Sequence, residues 1–173
     1  MIKTISAERT IDAPAAVIYD RLASIARHPE WDETAQRAEP VTEGNATGVG
    51  AEWKVYEHFG IFHSISGDDR SKQGTALSKR TLKELVPNER VAWGTHTLPN
   101  LGVSATLTRT LTPEGSATRV VVDVSISVPM VVERVGRVLF RSLDERYEKQ
   151  LVTTLDQLQA VSEAEVAKQA VAV

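Results

Sequence analysis

Between residues 34 and 128 apolar and polar positions alternate with a period of two, broken by the turn-forming stretches TEGNATGVG, GDDRSKQG, VPNER, LPNLG and TPEGSA. Six strands fit between the breaks, at 34–42, 50–60, 75–86, 90–98, 102–112 and 117–128, and their short connections favour antiparallel hairpins. The last alternates most cleanly. Val120, Val122, Val124, Ile126 and Val128 share one face, and Arg119, Asp123, Ser125 and Ser127 the other, so one side faces core or cavity and the other water.

A seventh strand precedes these at 2–11, where Ile2, Thr4, Ile5, Thr10 and Ile11 supply β-branched content. It stops at DAP, where Asp12 is placed to cap a helix that Pro14 begins. Over 14–27 the period changes: Val17, Ile18, Leu22, Ile25 and Ala26 recur three and four apart, which predicts a helix that ends before Pro29, followed by a second helical turn near 28–33. After Pro129 a long amphipathic helix is predicted from Val132, Val135, Leu139, Leu143, Tyr147, Leu151, Leu155 and Leu158. Its opposite face, with Arg134, Arg137, Arg141, Asp144, Glu145, Glu148 and Lys149, reads as solvated. The order is α+β: strand, two short helices, six strands, long helix. A curved seven-stranded antiparallel sheet wrapped around the C-terminal helix satisfies it, with space for function between the two.

The 173 residues suit one domain with a sizeable core. Their 20 Lys+Arg against 23 Asp+Glu are mixed along the chain with no basic block, which argues against nucleic acid as a partner. Absent cysteine excludes disulfides, thiolate nucleophiles and Cys-ligated zinc. Neither a signal-peptide pattern nor an apolar run long enough to span a membrane is present, so the expectation is a soluble cytoplasmic protein. The Ala/Val/Glu-rich end AVSEAEVAKQAVAV reads as a helical extension or tail that is able to pack on a second chain. Oligomeric state stays open.

Three stretches carry a resemblance. IDAPAAVIYDRLASIARHPEW, ELVPNERVAW before a strand, and the final helix ending in LVTTLDQLQ resemble the START-like helix-grip superfamily, called SRPBCC, and within it the polyketide cyclase/dehydrase-like group of small bacterial proteins. The likeness spans roughly residues 2–160. It implies a helix-grip domain over 1–160, with 161–173 as the extension. In that family the segment matching Ala13–Pro14 opens the first helix, the Trp matching Trp31 stands near a cavity mouth, and Pro87–Arg90 matches a central hairpin. The superfamily's carriers, hormone binders, aromatases, cyclases and co-chaperones share one scaffold, so the resemblance implies a cavity rather than a particular reaction.

The candidate chemistry is sparse. In ARHPEWDE, residues 26–33, the carboxylates are bunched beside one His with no second anchor, so a metal site is not supported; the stretch reads as a helix end with its charges in water and Trp31 turned toward the ligand space. His58 and His63 flank Gly60, with Phe59 and Phe62 between them, which suits an aromatic cavity rim better than a metal site. On the middle strands Trp53, Trp93 and Leu107 are favoured as inward, and alternation then turns Arg109 and Glu57 inward too, unless each reaches solvent at a strand end. No Ser-His-Asp set, phosphate loop or carboxylate pair is legible, and no catalytic residue is assigned.

The expected function is therefore binding of a small hydrophobic or aromatic molecule, a lipid among the candidates, without metal or other cofactor. Trp31, Trp53, Phe59, Phe62 and Trp93 would give contact area, and His58, His96 or Arg109 would orient a polar group. A cyclase, dehydrase or aromatase using the same cavity is the alternative, and a co-chaperone-like interaction module a third. A deep His–carboxylate pair would favour proton transfer, and an apolar floor carriage.

Overall fold

The computed structural model describes residues 2–32, 35–57, 76–98, 103–127 and 129–171, with the backbone alone at 57, 76–77, 96–98, 103 and 130–147. Strand β1 (Ile2–Ile11) leads into α1 (Ala15–Ala23) and a 3-10 helix (Ile25–Glu30). Strands β2 (Ala35–Thr42), β3 (Glu52–Glu57), β4 (Ala76–Val86), β5 (Arg90–Leu98), β6 (Val103–Glu114) and β7 (Ala117–Ser127) follow, and α2 (Met130–Val171) closes the chain. The expected order of elements is present, in an α+β helix-grip fold.

All pairings are antiparallel, in the order β1-β7-β6-β5-β4-β3-β2. Successive strands from β2 to β7 are neighbours, and the connections after β4, β5 and β6 are of four residues or fewer, which favours hairpins there. At the β4–β5 turn Asn88 has φ +61, a left-handed conformation that Asn tolerates better than most residues. In the β2–β3 connection Gly44 has φ +78, and a Cβ there would come 2.4 Å from the Ala51 nitrogen, so both the backbone and the space demand glycine.

The expectation of a curved sheet wrapped around the last helix is corrected. β1 and β2 are opposite, unpaired edges, and the sheet is neither closed nor strongly curled. Among the described residues, helix α2 packs chiefly along β1 and against α1. The reason lies in the crossing segment. The chain leaves β1 at one edge and must reach β2 at the other, so α1 and the 3-10 helix traverse the face, lying over β5 and β6 before meeting β2. They cover part of the face over the middle strands.

Two smaller expectations also change. Pro14, not Asp12, is the N-cap of α1, without a side-chain cap; the Asp12 N–H instead donates to Glu163 Oε1 of α2 at 3.1 Å. The first helix does end before Pro29 as expected, but earlier, and the helical turn expected near 28–33 begins sooner. α1 ends at Ala23, Ser24 is extended, and a 3-10 helix carries the chain through Pro29, closed by the Trp31 N–H on the His28 carbonyl at 3.1 Å. Pro29 has no N–H to offer, and these turns close through its neighbours.

The core lies on the face beneath the helices. Ile18 and Leu22 of α1, Ile25, Val91 and Trp93 of β5, Val120, Val122 and Val124 of β7, and Leu151, Leu155 and Leu158 of α2 are buried together. The α2 spacing of four and three is the stripe that the sequence predicts. At its end α2 is tied down rather than frayed: Ser162 is buried, Val166 packs on the core, and buried Arg21 reaches Glu30 at 3.0 Å and Glu165 at 3.4 Å. Among the described residues no helix is long and apolar enough to cross a membrane.

Candidate functional site

Directly opposed residues of an antiparallel sheet share a face. Arg80 of β4 stands opposite Trp53 and Thr95, and Leu82 opposite Trp93, which in turn opposes Leu107. Two residues farther along β6, Arg109 opposes Val91 and Val122. The face that carries the core therefore also carries two arginines, and both are buried, Arg109 to 3% exposure. A bare guanidinium in such a place is costly, so its surroundings must answer the charge.

Part of the answer comes from the 3-10 helix and the two residues after it. His28 is fully buried. Arg80 Nη1 donates to its Nδ1 at 3.0 Å, which puts the ring proton on Nε2, 3.2 Å from the Leu22 carbonyl oxygen. Trp93 Nε1 donates to that same oxygen at 3.3 Å. One carbonyl at the end of α1 thus receives both rings, because the helix stops one residue later and offers it no N–H four residues on. Asp32, also buried, lies 3.8 Å from Arg80 through Oδ2. The Trp31 ring meets His28 edge-on at a centroid distance of 5.0 Å, and Arg109 Cζ lies 5.5 Å from the Trp31 ring centroid.

Electrostatics follow from this packing. Burial, reinforced by Arg80 and then Arg109, holds the His28 imidazole well below its ordinary 6.5, against the pull of the Leu22 hydrogen bond. It is neutral at pH 7. Burial and then Arg80 bring the Arg109 guanidinium down to about 10, with Asp32 opposing, so it keeps its charge at pH 7. Among the described side chains of the cluster, one carboxylate faces two guanidiniums. Arg109 Nη1 and Trp31 Nε1 are buried with no hydrogen-bond partner among the described residues. Both are donors.

The sequence-predicted residues fall unevenly on this arrangement. Trp31, Trp93 and Arg109 lie within the cluster, and Trp53 is partly buried beside it, opposite Arg80. His96 sits in β5 at the register position opposite Lys79 and Ser104. His58, Phe59 and Phe62 lie outside the described residues. His28 and Asp32 correct the reading of ARHPEWDE, since both are buried instead of standing in water; among its described charges Glu30 is exposed and Arg27 part-exposed, the two paired with each other. Arg80 was not among the predicted site residues. The signal for it was its place between Ser78 and Leu82 on an inward face, which requires a counter-charge from the covering segment. Among the described residues no three His, Asp or Glu side chains gather as metal ligands would.

Solved structures of similar fold include the di-domain ARO/CYC StfQ of the steffimycin biosynthetic pathway, at TM-score 0.72 and 11% identity. The alignment covers 96% of this chain and 52% of that one, so the chain spans about half of StfQ's length. The Zhui aromatase/cyclase of Streptomyces sp. R1128 matches at TM-score 0.67 and 14% identity, with 96% of each chain covered. A point mutant of norcoclaurine synthase from Thalictrum flavum, in complex with a transition-state analogue, matches at 0.64 and 15%, covering 95% of this chain and 96% of that one. At such identities the likeness shows the fold alone. No curated protein sequence matches. The model of the family described as polyketide cyclase/dehydrase and lipid transport matches residues 3–163, nearly the whole chain, and the protein belongs to that family.

Proposed function

We propose that the protein binds a small hydrophobic or aromatic molecule against the inner face of the sheet, in the space bounded by α1, the 3-10 helix and α2. The observation that carries this reading is the buried group of Trp31, Trp93 and Arg109, in which aromatic surface surrounds polar atoms that the described residues leave unpartnered. Unpartnered buried donors are rare, and each costs about 1–3 kcal/mol. A ligand that is apolar over most of its surface and carries a hydrogen-bond acceptor at one point relieves both.

Turnover by a cyclase or dehydrase is the second reading, and the family membership favours it. His28 does not serve such chemistry as a base. Its Nδ1 lone pair is taken by Arg80 and its Nε2 proton by Leu22. Arg80 also stands between His28 and Asp32, so the pair that would relay a proton is replaced by a His–Arg–Asp series that holds its members still. The arrangement suits holding a ligand better than moving a proton.

Native mass spectrometry of freshly purified protein tests the binding reading. Retention of a non-covalent species of a few hundred daltons, lost on denaturation, is expected. Only the bare mass, together with no binding in a screen of aromatic and aliphatic compounds, would overturn it.

A further inference from the structure

We propose that the molecule bound here is an acid, with its carboxylate received by Arg109 Nη1 and Trp31 Nε1. This rests on the ligand-binding reading and adds the chemical class of what is bound.

The argument starts from the kinds of atom left over. A guanidinium and an indole only donate hydrogen bonds. A water placed between them would satisfy both donors but add no negative charge to a cluster whose described side chains hold two guanidiniums and one carboxylate. Arg80 has Asp32 at ion-pair distance and the His28 ring as acceptor. Arg109 has the face of Trp31, shares the attraction of Asp32 with Arg80, and is repelled by Arg80 itself. The group that completes the site is therefore a negatively charged acceptor, and a carboxylate has two oxygens that match two neighbouring donors.

Position supports the same conclusion. Arg109 lies in mid-strand between Leu107 and Leu111 and beside Val91 and Val122, so an acid held there has apolar walls along its remaining length. His28 is a positioning residue. Neutral and bonded on both nitrogens, it fixes Arg80 and presents its ring to Trp31, and it adds no third positive charge. Keeping an incompletely compensated guanidinium buried costs stability, and a role in holding an anion accounts for that cost.

The test uses 2-naphthoate and the neutral 2-naphthamide as probes, by isothermal titration calorimetry on the full chain. Wild type is expected to bind the acid at least about 10-fold more tightly than the amide, the size of one charge-assisted hydrogen bond. Arg109→Met should weaken acid binding by about 10-fold or more and amide binding by less, which brings the preference down to about 2-fold or less, and the variant should still unfold cooperatively without ligand. Arg109→Lys, the variant to use should the Met form not fold, should keep part of the preference, because a point charge lacks the second donor of the fork. Equal affinity of wild type for acid and amide overturns the proposal and leaves the apolar site standing. Binding of neither probe overturns both readings. Acid preference that persists in both variants places the carboxylate elsewhere and also overturns it.

Discussion

Acid should loosen this protein through one side chain. His28 is fully buried, its Nδ1 accepts from Arg80, and two guanidiniums oppose its protonation, so its folded-state pKa lies well below 6.5. In the unfolded chain the imidazole titrates near 6.5. Below that pH the unfolded state takes up a proton that the folded state refuses, and stability falls as pH falls. Each pH unit between the unfolded and folded pKa costs about 1.4 kcal/mol, so the loss at pH 5 relative to pH 8 is at most about 2 kcal/mol from His28. The assay is urea unfolding, followed by tryptophan fluorescence from pH 5 to 8, for wild type and His28→Gln. Glutamine loses the ring's packing and should be destabilised by about 1–3 kcal/mol at pH 8. Because it has no proton to gain, the gap between the two proteins should narrow as pH falls below 6.5, by at most about 2 kcal/mol at pH 5. A gap that stays constant would refute the reasoning, as would a His28 ring resonance in the folded wild type that titrates near 6.5 by NMR.

Arg80→Met should cost about 3–5 kcal/mol in chemical denaturation, because it breaks the buried ion pair with Asp32 and takes the donor from His28, and Asp32→Asn added to it should recover part of the loss. Truncation after residue 160 should lower the thermal midpoint by several degrees, since Ser162, Glu163, Glu165 and Val166 are docked; an unchanged midpoint would make 161–173 a dispensable tail. Gly44→Ala should destabilise by about 2 kcal/mol or more in urea, and Gly115→Ala by only about 1 kcal/mol, because both have positive φ but only the first meets backbone at 2.4 Å.

The sheet was legible in the sequence because period-two alternation survives translation into burial. Val120, Val122 and Val124 are buried as their spacing predicts, and turn residues mark the hairpins. The relation of helix to sheet was not legible. Periodicity tells which face of α2 is apolar but not that α1 and the 3-10 helix cover β5 and β6 first. The site was half legible for a similar reason. Alternation turned Arg109 inward and ARHPEWDE drew notice as a cluster, yet His28 and Asp32 are charged types next to a proline and read as solvated. Their burial depends on Arg80, which lies 52 residues after His28 in the chain and meets it only through the strand pairing. A long-range ion pair leaves no local period to detect.

The three tryptophans offer the most direct test of ligand binding at this face. Their indole N–H resonances, assigned with Trp31→Phe, Trp53→Phe and Trp93→Phe, would be followed by NMR during titration with 2-naphthoate. The Trp31 resonance should move most, because its Nε1 gains a partner, and Trp93, already bonded to the Leu22 carbonyl, should move less. Three resonances that stay fixed, or a shift confined to Trp53, would contradict a binding site built on Trp31 and Arg109.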